Sequence, residues 1–223
     1  MSRIQWDTEG QKFYEFGASK GVLFVKDTNG YSNGVPWNGL TAVNENPTGG
    51  ESQDLWADDI LYGSFRSTER YGATIEAYTY PDEFAACDGS AEIAPGAYLG
   101  QQGRKRFGFS FVTKIGSDAD DGDPSAYRLK LVYGASAKPS GKDHSTINDS
   151  PDAATFSWEI DTLPVPVTGH KPTATFELDS RTVDAAKLKQ IEDLLYGTET
   201  NEPKLPMPDE IIQILTSKSP TGK

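Results

Sequence analysis

Phe107, Phe109 and Phe111 fall at strict period two, with Gly108 and Ser110 between them. That spacing puts three aromatic rings on one face of an extended strand and small residues on the other, the pattern of a half-buried β-strand. The period recurs along the chain. Leu129, Leu131 and Tyr133 alternate with Arg128, Lys130 and Val132; Phe156, Trp158 and Ile160 alternate with Ser157, Glu159 and Asp161. Ile75, Ala77 and Thr79 alternate with Thr74, Glu76, Tyr78 and Tyr80, and the run stops at Pro81. Gly21–Val25, Trp37–Val43 and Ala174–Leu178 are further short candidates, separated by Gly, Pro and Asn clusters. Seven such segments predict a mainly β domain, a sandwich or barrel, over residues 1–180.

Whether such strands can bury a core depends on composition. Leu, Ile, Val and Phe make up about 20% of the 223 residues, at the margin where high net charge begins to favour disorder. Four Trp, ten Tyr and ten Phe offset this, because each ring buries roughly 150–250 Å². A folded domain with a modest aromatic core follows, one that gains stability from partners.

Residues 181–223 read differently. Leu188, Ile191 and Leu195 fall on one helical face, with Thr182 as the expected N-cap and Gly197 as the terminator. Pro203–Pro208 is a proline-broken linker, and Pro208-Asp209-Glu210 opens a second short helix through Ile211, Ile212, Ile214 and Leu215. With no evident core to join, this helix is expected to dock on a neighbouring copy.

Charge excludes some functions. Lys+Arg 21 against Asp+Glu 33 gives a net charge of −12, the wrong sign for clamping nucleic-acid phosphates. It is also segregated: Glu45–Glu92 is net −9, whereas Gly100–Gly116 holds Arg104, Lys105, Arg106 and Lys114 and no acid. Opposite blocks in one chain suit docking between copies. The start, Met1–Asp7, has no apolar signal-like core, and no run approaches the ~18 apolar residues of a membrane span.

No catalytic constellation emerges. Gly141-Lys142 lacks the earlier glycine of a phosphate loop, since that place is Ser136. His144 and His170 have no second ligand at metal spacing, and Asp143-His144-Ser145 are chain neighbours that cannot relay a proton among themselves. Cys87 sits in acidic company and is expected to be an inert thiol. Asp118–Asp123 resembles a calcium loop, but its glycine is misplaced and Leu129 stands where the closing glutamate belongs. A solvated hairpin tip is the expectation there, with no metal or cofactor. Asn148-Asp149-Ser150 is a sequon without a secretion signal. Trp6, Trp37, Trp56 and Trp158 could supply a sugar platform, so a monomeric carbohydrate-binding or adhesion sandwich is the alternative; alternation assigns Trp158 and Trp37 to the core.

Several stretches, in order, resemble the major tail protein, or tail tube protein, of bacteriophages with long non-contractile tails. They are Lys12–Gly17 with Gly21–Leu23, Gly34–Thr41 continuing to Pro47–Glu51, and Tyr71–Tyr78 through Pro81–Phe84. Arg106–Ser110, Leu131–Gly134 and Ser150–Glu159 follow, and the helix ending Leu194–Gly197 and the Leu205–Pro208 linker are similar as well. The resemblance implies a two-sheet β-sandwich with a flanking α-helix and a short C-terminal helical extension. It implies a non-enzymatic virion protein, assembled in the host bacterial cytoplasm, that forms hexameric rings stacked into a hollow tube. Double-stranded DNA and the tape-measure protein would pass through it, with other tail proteins as partners and no membrane. A conduit must not hold its cargo, so a carboxylate-lined bore is expected. Glu76 and Glu159 are the candidate lining residues, and Asn44–Arg66, too long and polar for a hairpin turn, is the candidate contact between rings.

Overall fold

A tight turn at Gly134 organises the β architecture. The structure is a computed structural model and describes residues 3–28, 30–119, 125–144, 146 and 153–217. Its strands, in chain order, are β1 (Phe13–Val25), β2 (Val35–Trp37), β3 (Leu40–Glu45), β4 (Ser52–Ala57), β5 (Ile60–Arg66) and β6 (Gly72–Ala77). A 3-10 turn (Asp82–Phe84) and helix α1 (Ala85–Asp88) precede β7 (Ala91–Ala94), β8 (Ala97–Leu99), β9 (Phe107–Ser117) and β10 (Ala126–Ala137). There follow β11 (Phe156–Thr162), β12 (Val165–Val167), β13 (His170–Thr173), β14 (Thr175–Asp179), and helices α2 (Ala185–Tyr196) and α3 (Pro208–Thr216). The fold is mainly β with a flanking helix, as expected.

Eight strands form one hydrogen-bonded sheet in the order β2-β1-β9-β10-β11-β6-β3, with β14 also on β10. The first half of β10 pairs with β14 (Arg128↔Asp179 to Val132↔Thr175), and its last residues pair with β11 (Ala135↔Thr162 to Ala137↔Ile160). β10 therefore belongs to both layers of the sandwich and joins them at a corner. At that corner Gly134 has φ +61° and interrupts the register between Val132 and Ala135. A Cβ there would lie 2.2 Å from the Leu163 carbonyl oxygen, so only glycine fits.

Both layers face one aromatic core. Trp37, Phe84, Phe107, Phe109 and Trp158 are buried there with Leu23, Ile75 and Ile160. Trp37 meets Phe109 and Trp158 edge-on with centroids 5.5 and 5.6 Å apart, the favoured aromatic geometry. Trp37 Nε1 donates to the Thr79 carbonyl at 2.9 Å. Cys87 is buried in the same core.

The period-two reading of β9 was half of the truth: Gly108, Ser110 and Val112 are buried too. A second core covers that opposite face, formed by Leu129, Leu131, Tyr133 and Leu178 with Leu188, Ile191 and Leu195 of α2 and Ile211 of α3. Two helices thus make a central strand out of one that alternation alone describes as half exposed.

Three expectations are corrected. Helix α3 docks on its own chain, not on a neighbour, because Leu205 and Pro206 carry it back across the sheet. Leu205 N–H donates to the Tyr31 carbonyl at 3.0 Å and Gly34 N–H to the Pro203 carbonyl at 3.1 Å. The N-cap of α2 is Asp184, not Thr182: its carboxylate accepts from Ala186 and Lys187 N–H at 3.1 Å each. The expected strand from Trp37 to Val43 is broken at Gly39 (φ +76°) into β2 and β3.

Candidate self-association surfaces

The segment Asn44–Arg66 contains a β-hairpin rather than the irregular loop its polarity and length implied. Strands β4 and β5 pair from Ser52↔Arg66 to Ala57↔Ile60, with one irregularity between Leu55 and Trp56. Asp58 (φ +51°) and Asp59 (φ +59°) form the two-residue tip, the left-handed pair that matches strand twist in a tight hairpin. At its root the two arms stay joined, with Ser67 N–H donating to the Glu51 carbonyl and reciprocal bonds between Thr48 and Arg70. Among the described residues no other strand or helix packs on it substantially.

Its side chains are those of an interior. Leu55, Trp56, Ile60, Leu61, Tyr62 and Phe65 are all exposed, Trp56 by 69% and Tyr62 by 72%. Pairing distributes them over both faces: Leu55, Ile60 and Phe65 to one, Trp56 and Leu61 to the other. An isolated two-stranded hairpin is marginal in water, and apolar residues on both faces gain nothing from solvent. A smaller hairpin, β7–β8, also exposes Ile93, Tyr98 and Leu99, and the amino-terminal stretch exposes Ile4 and Trp6.

The candidate lining residues lie together. Glu76↔Ser157 and Thr74↔Glu159 are directly paired on β6 and β11, so Glu76 and Glu159 share the face turned away from the aromatic core. Asp161 joins them by alternation. Glu76 accepts from Asn44 Nδ2 at 3.4 Å, Glu159 pairs with Lys138, and Asp161 lies 3.3 Å from Lys138 Nζ. The face is acidic, with one lysine bridging two of its three carboxylates.

Where the aromatic core ends, an ionic cluster closes the gap between β1, β3, β10 and β14. Lys130 Nζ meets Glu45 at 3.1 Å, Glu177 at 3.5 Å and Glu15 at 3.8 Å. Arg128 meets Glu15 at 2.6 Å and Asp179 at 3.6 Å. Arg181 clamps Asp179 from the next turn through Nε (3.0 Å) and Nη2 (2.6 Å), and these bonds hold the Asp179 carboxyl well below the usual carboxylate range. Glu45 also accepts from Tyr71 Oη at 3.0 Å; burial first, then that carboxylate, push the phenol up. Sequence reading missed the cluster, because Glu15, Glu45, Arg128 and Glu177 are far apart in the chain.

The other candidates fall as follows. Burial pushes the Cys87 thiol up to about 12, so it is not a thiolate at neutral pH. His144 is exposed, and His170 lies on β13 near Asp209. Asp118 uses Oδ1 to accept from Gly10 N–H (3.0 Å) and Lys12 N–H (3.3 Å); Asp120–Asp123 of the supposed calcium loop, and the Asn148 sequon, lie outside the described residues. Among the described residues no three His, Cys, Asp or Glu side chains gather as a metal site, and no helix is long and apolar enough to cross a membrane. Trp37 and Trp158 are buried, which removes both from any sugar platform, whereas Trp6 and Trp56 are open. A scan against protein-family models finds no match to this sequence, and a search of curated proteins finds none either.

Proposed function

We propose that this chain is a non-catalytic structural subunit that assembles with copies of itself into hexameric rings stacked as a phage tail tube, a passive conduit for double-stranded DNA. The observation that carries the reading is the β4–β5 hairpin, which presents six large apolar side chains and on which, among the described residues, no other strand or helix packs substantially. Each of the six is at least 43% exposed, an apolar surface of the kind that marks an interface. Burial in a neighbouring copy would remove both that exposure and the instability of a lone hairpin.

The acidic face of β3–β6–β11 supplies the complementary half of the reading. Glu76, Glu159 and Asp161 would repel a phosphate backbone rather than release its counterions, so a duplex could pass without being held. The family resemblance of the strand and turn motifs gives the ring and tube geometry. The test is sedimentation velocity over a wide concentration range on the wild type and on Leu61→Ser/Tyr62→Ser. The wild type should form large species and the variant remain monomeric with an unchanged fold. A wild type that stays monomeric throughout would refute self-assembly.

A further inference from the structure

Resting on that reading, we propose where the hairpin docks: the β4–β5 hairpin of one copy seats on the opposite end of the next copy, on a surface made by Lys26, Lys105 and the β7–β8 hairpin. Strand β1 defines the two ends. Near its start, Glu15 shares Lys130 with Glu45, the residue from which the chain departs toward β4. Beyond its finish, Lys26 N–H donates to the Arg106 carbonyl at 2.9 Å. Glu15 pairs with Ile115 and Val25 with Phe107, so the hairpin root and Lys26 stand at opposite ends of the β1–β9 ladder.

The far pole fits the hairpin in chemistry. Lys105 N–H donates to the Ala86 carbonyl and Gln102 N–H to the Gly89 carbonyl, both at 2.9 Å, which sets Lys105 beside the root of β7–β8. Ile93, Tyr98 and Leu99 stand exposed on that hairpin. Of the acids here, Asp88 is already matched by Arg104 (3.5 Å) and Lys142 (2.8 Å), and Asp27, next to Lys26 in the chain, accepts from Ser32 Oγ at 3.1 Å. Glu92 folds back to accept from Gly96 N–H at 3.2 Å. Asp82 and Glu83 open the 3-10 turn at this pole, so its basic character is local to Lys26 and Lys105, both exposed. The approaching tip presents Asp58 and Asp59 flanked by Trp56, Ile60 and Leu61. Apolar surface meets apolar surface, and two carboxylates meet two ammonium groups. Such a contact is heterologous: each copy keeps a free hairpin and a free acceptor, so the association propagates instead of closing.

Charge exchange tests the pairing. The pelleted fraction at fixed concentration and low salt would be compared for the wild type, Asp58→Lys/Asp59→Lys, Lys26→Glu/Lys105→Glu, and the chain carrying all four changes. All four sites are exposed, and melting curves verify that each variant folds. Each double variant should lose at least about tenfold of the pelleted material, and the fourfold exchange should recover most of it. Large assemblies unaffected by Lys26→Glu/Lys105→Glu, or a fourfold variant as defective as the doubles, would overturn this docking while leaving self-assembly standing. A wild type that never associates would overturn both.

Discussion

The hydroxyl of Tyr133 donates to the backbone carbonyl of Pro206 at 2.9 Å, joining the middle of β10 to the segment that carries helix α3 back onto the sheet. The phenol lies fully buried, next to Tyr31, whose own hydroxyl accepts from Gly134 N–H at 2.9 Å. The strand corner and the C-terminal strap thus share one polar pair inside an apolar core. Tyr133→Phe removes the donor and leaves the Pro206 carbonyl without it, a loss of about 1–3 kcal/mol. Denaturant unfolding should show that loss, and hydrogen exchange should show it concentrated in Leu205–Thr216.

Gly134→Ala should be worse. The position has φ +61° and no room for a Cβ, so either β10 shifts or the Leu163 carbonyl moves. Strain at such a backbone costs about 1–3 kcal/mol before any clash is counted. The expected outcome is a marked fall in melting temperature, measurable by calorimetry. Gly50→Ala has positive φ but open space around it and should cost less.

Acid stability follows from Asp179 and Asp209. Hydrogen bonds from the Arg181 side chain hold Asp179 low, and those from Thr168 Oγ1 and N–H (2.7 and 2.9 Å) hold Asp209 low. A depressed folded-state pKa adds stability that is fully present above the unfolded value of about 3.9 and disappears as pH falls through the folded one. Stability of the wild type should therefore decline below about pH 4. Asp179→Asn should be less stable at pH 7 and should lose less between pH 5 and pH 2, as read by urea titrations at each pH.

Much of the β framework was legible in the sequence because alternation reports burial directly. Ile75, Phe109, Leu131 and Trp158 are core residues, as their period implied. Alternation fails where a second layer covers the other side, and so Gly108 and Ser110 of β9 were read as outward-facing, although both are buried. The helix positions Leu188, Ile191 and Leu195 were legible for the same reason, but nothing local says that Ile211 returns to the parent sheet: Tyr133 and Tyr31 decide that, far away in the chain. The β4–β5 hairpin was hidden by its composition. Asp54, Asp58, Asp59 and the surrounding Ser and Gly residues mark a loop, while Leu55, Trp56, Ile60, Leu61 and Phe65 alternate only across a bulge, which breaks the period on which strand recognition depends. Period singled out Glu76 and Glu159 only within their own segments; it is the β6–β11 pairing that puts them on one face.

Negative-stain electron microscopy of the concentrated wild-type chain is the most direct measurement. Hollow tubes built of stacked six-fold rings are the expected result. A field of separate single particles at every concentration and salt tried would contradict a subunit made to assemble with its own copies.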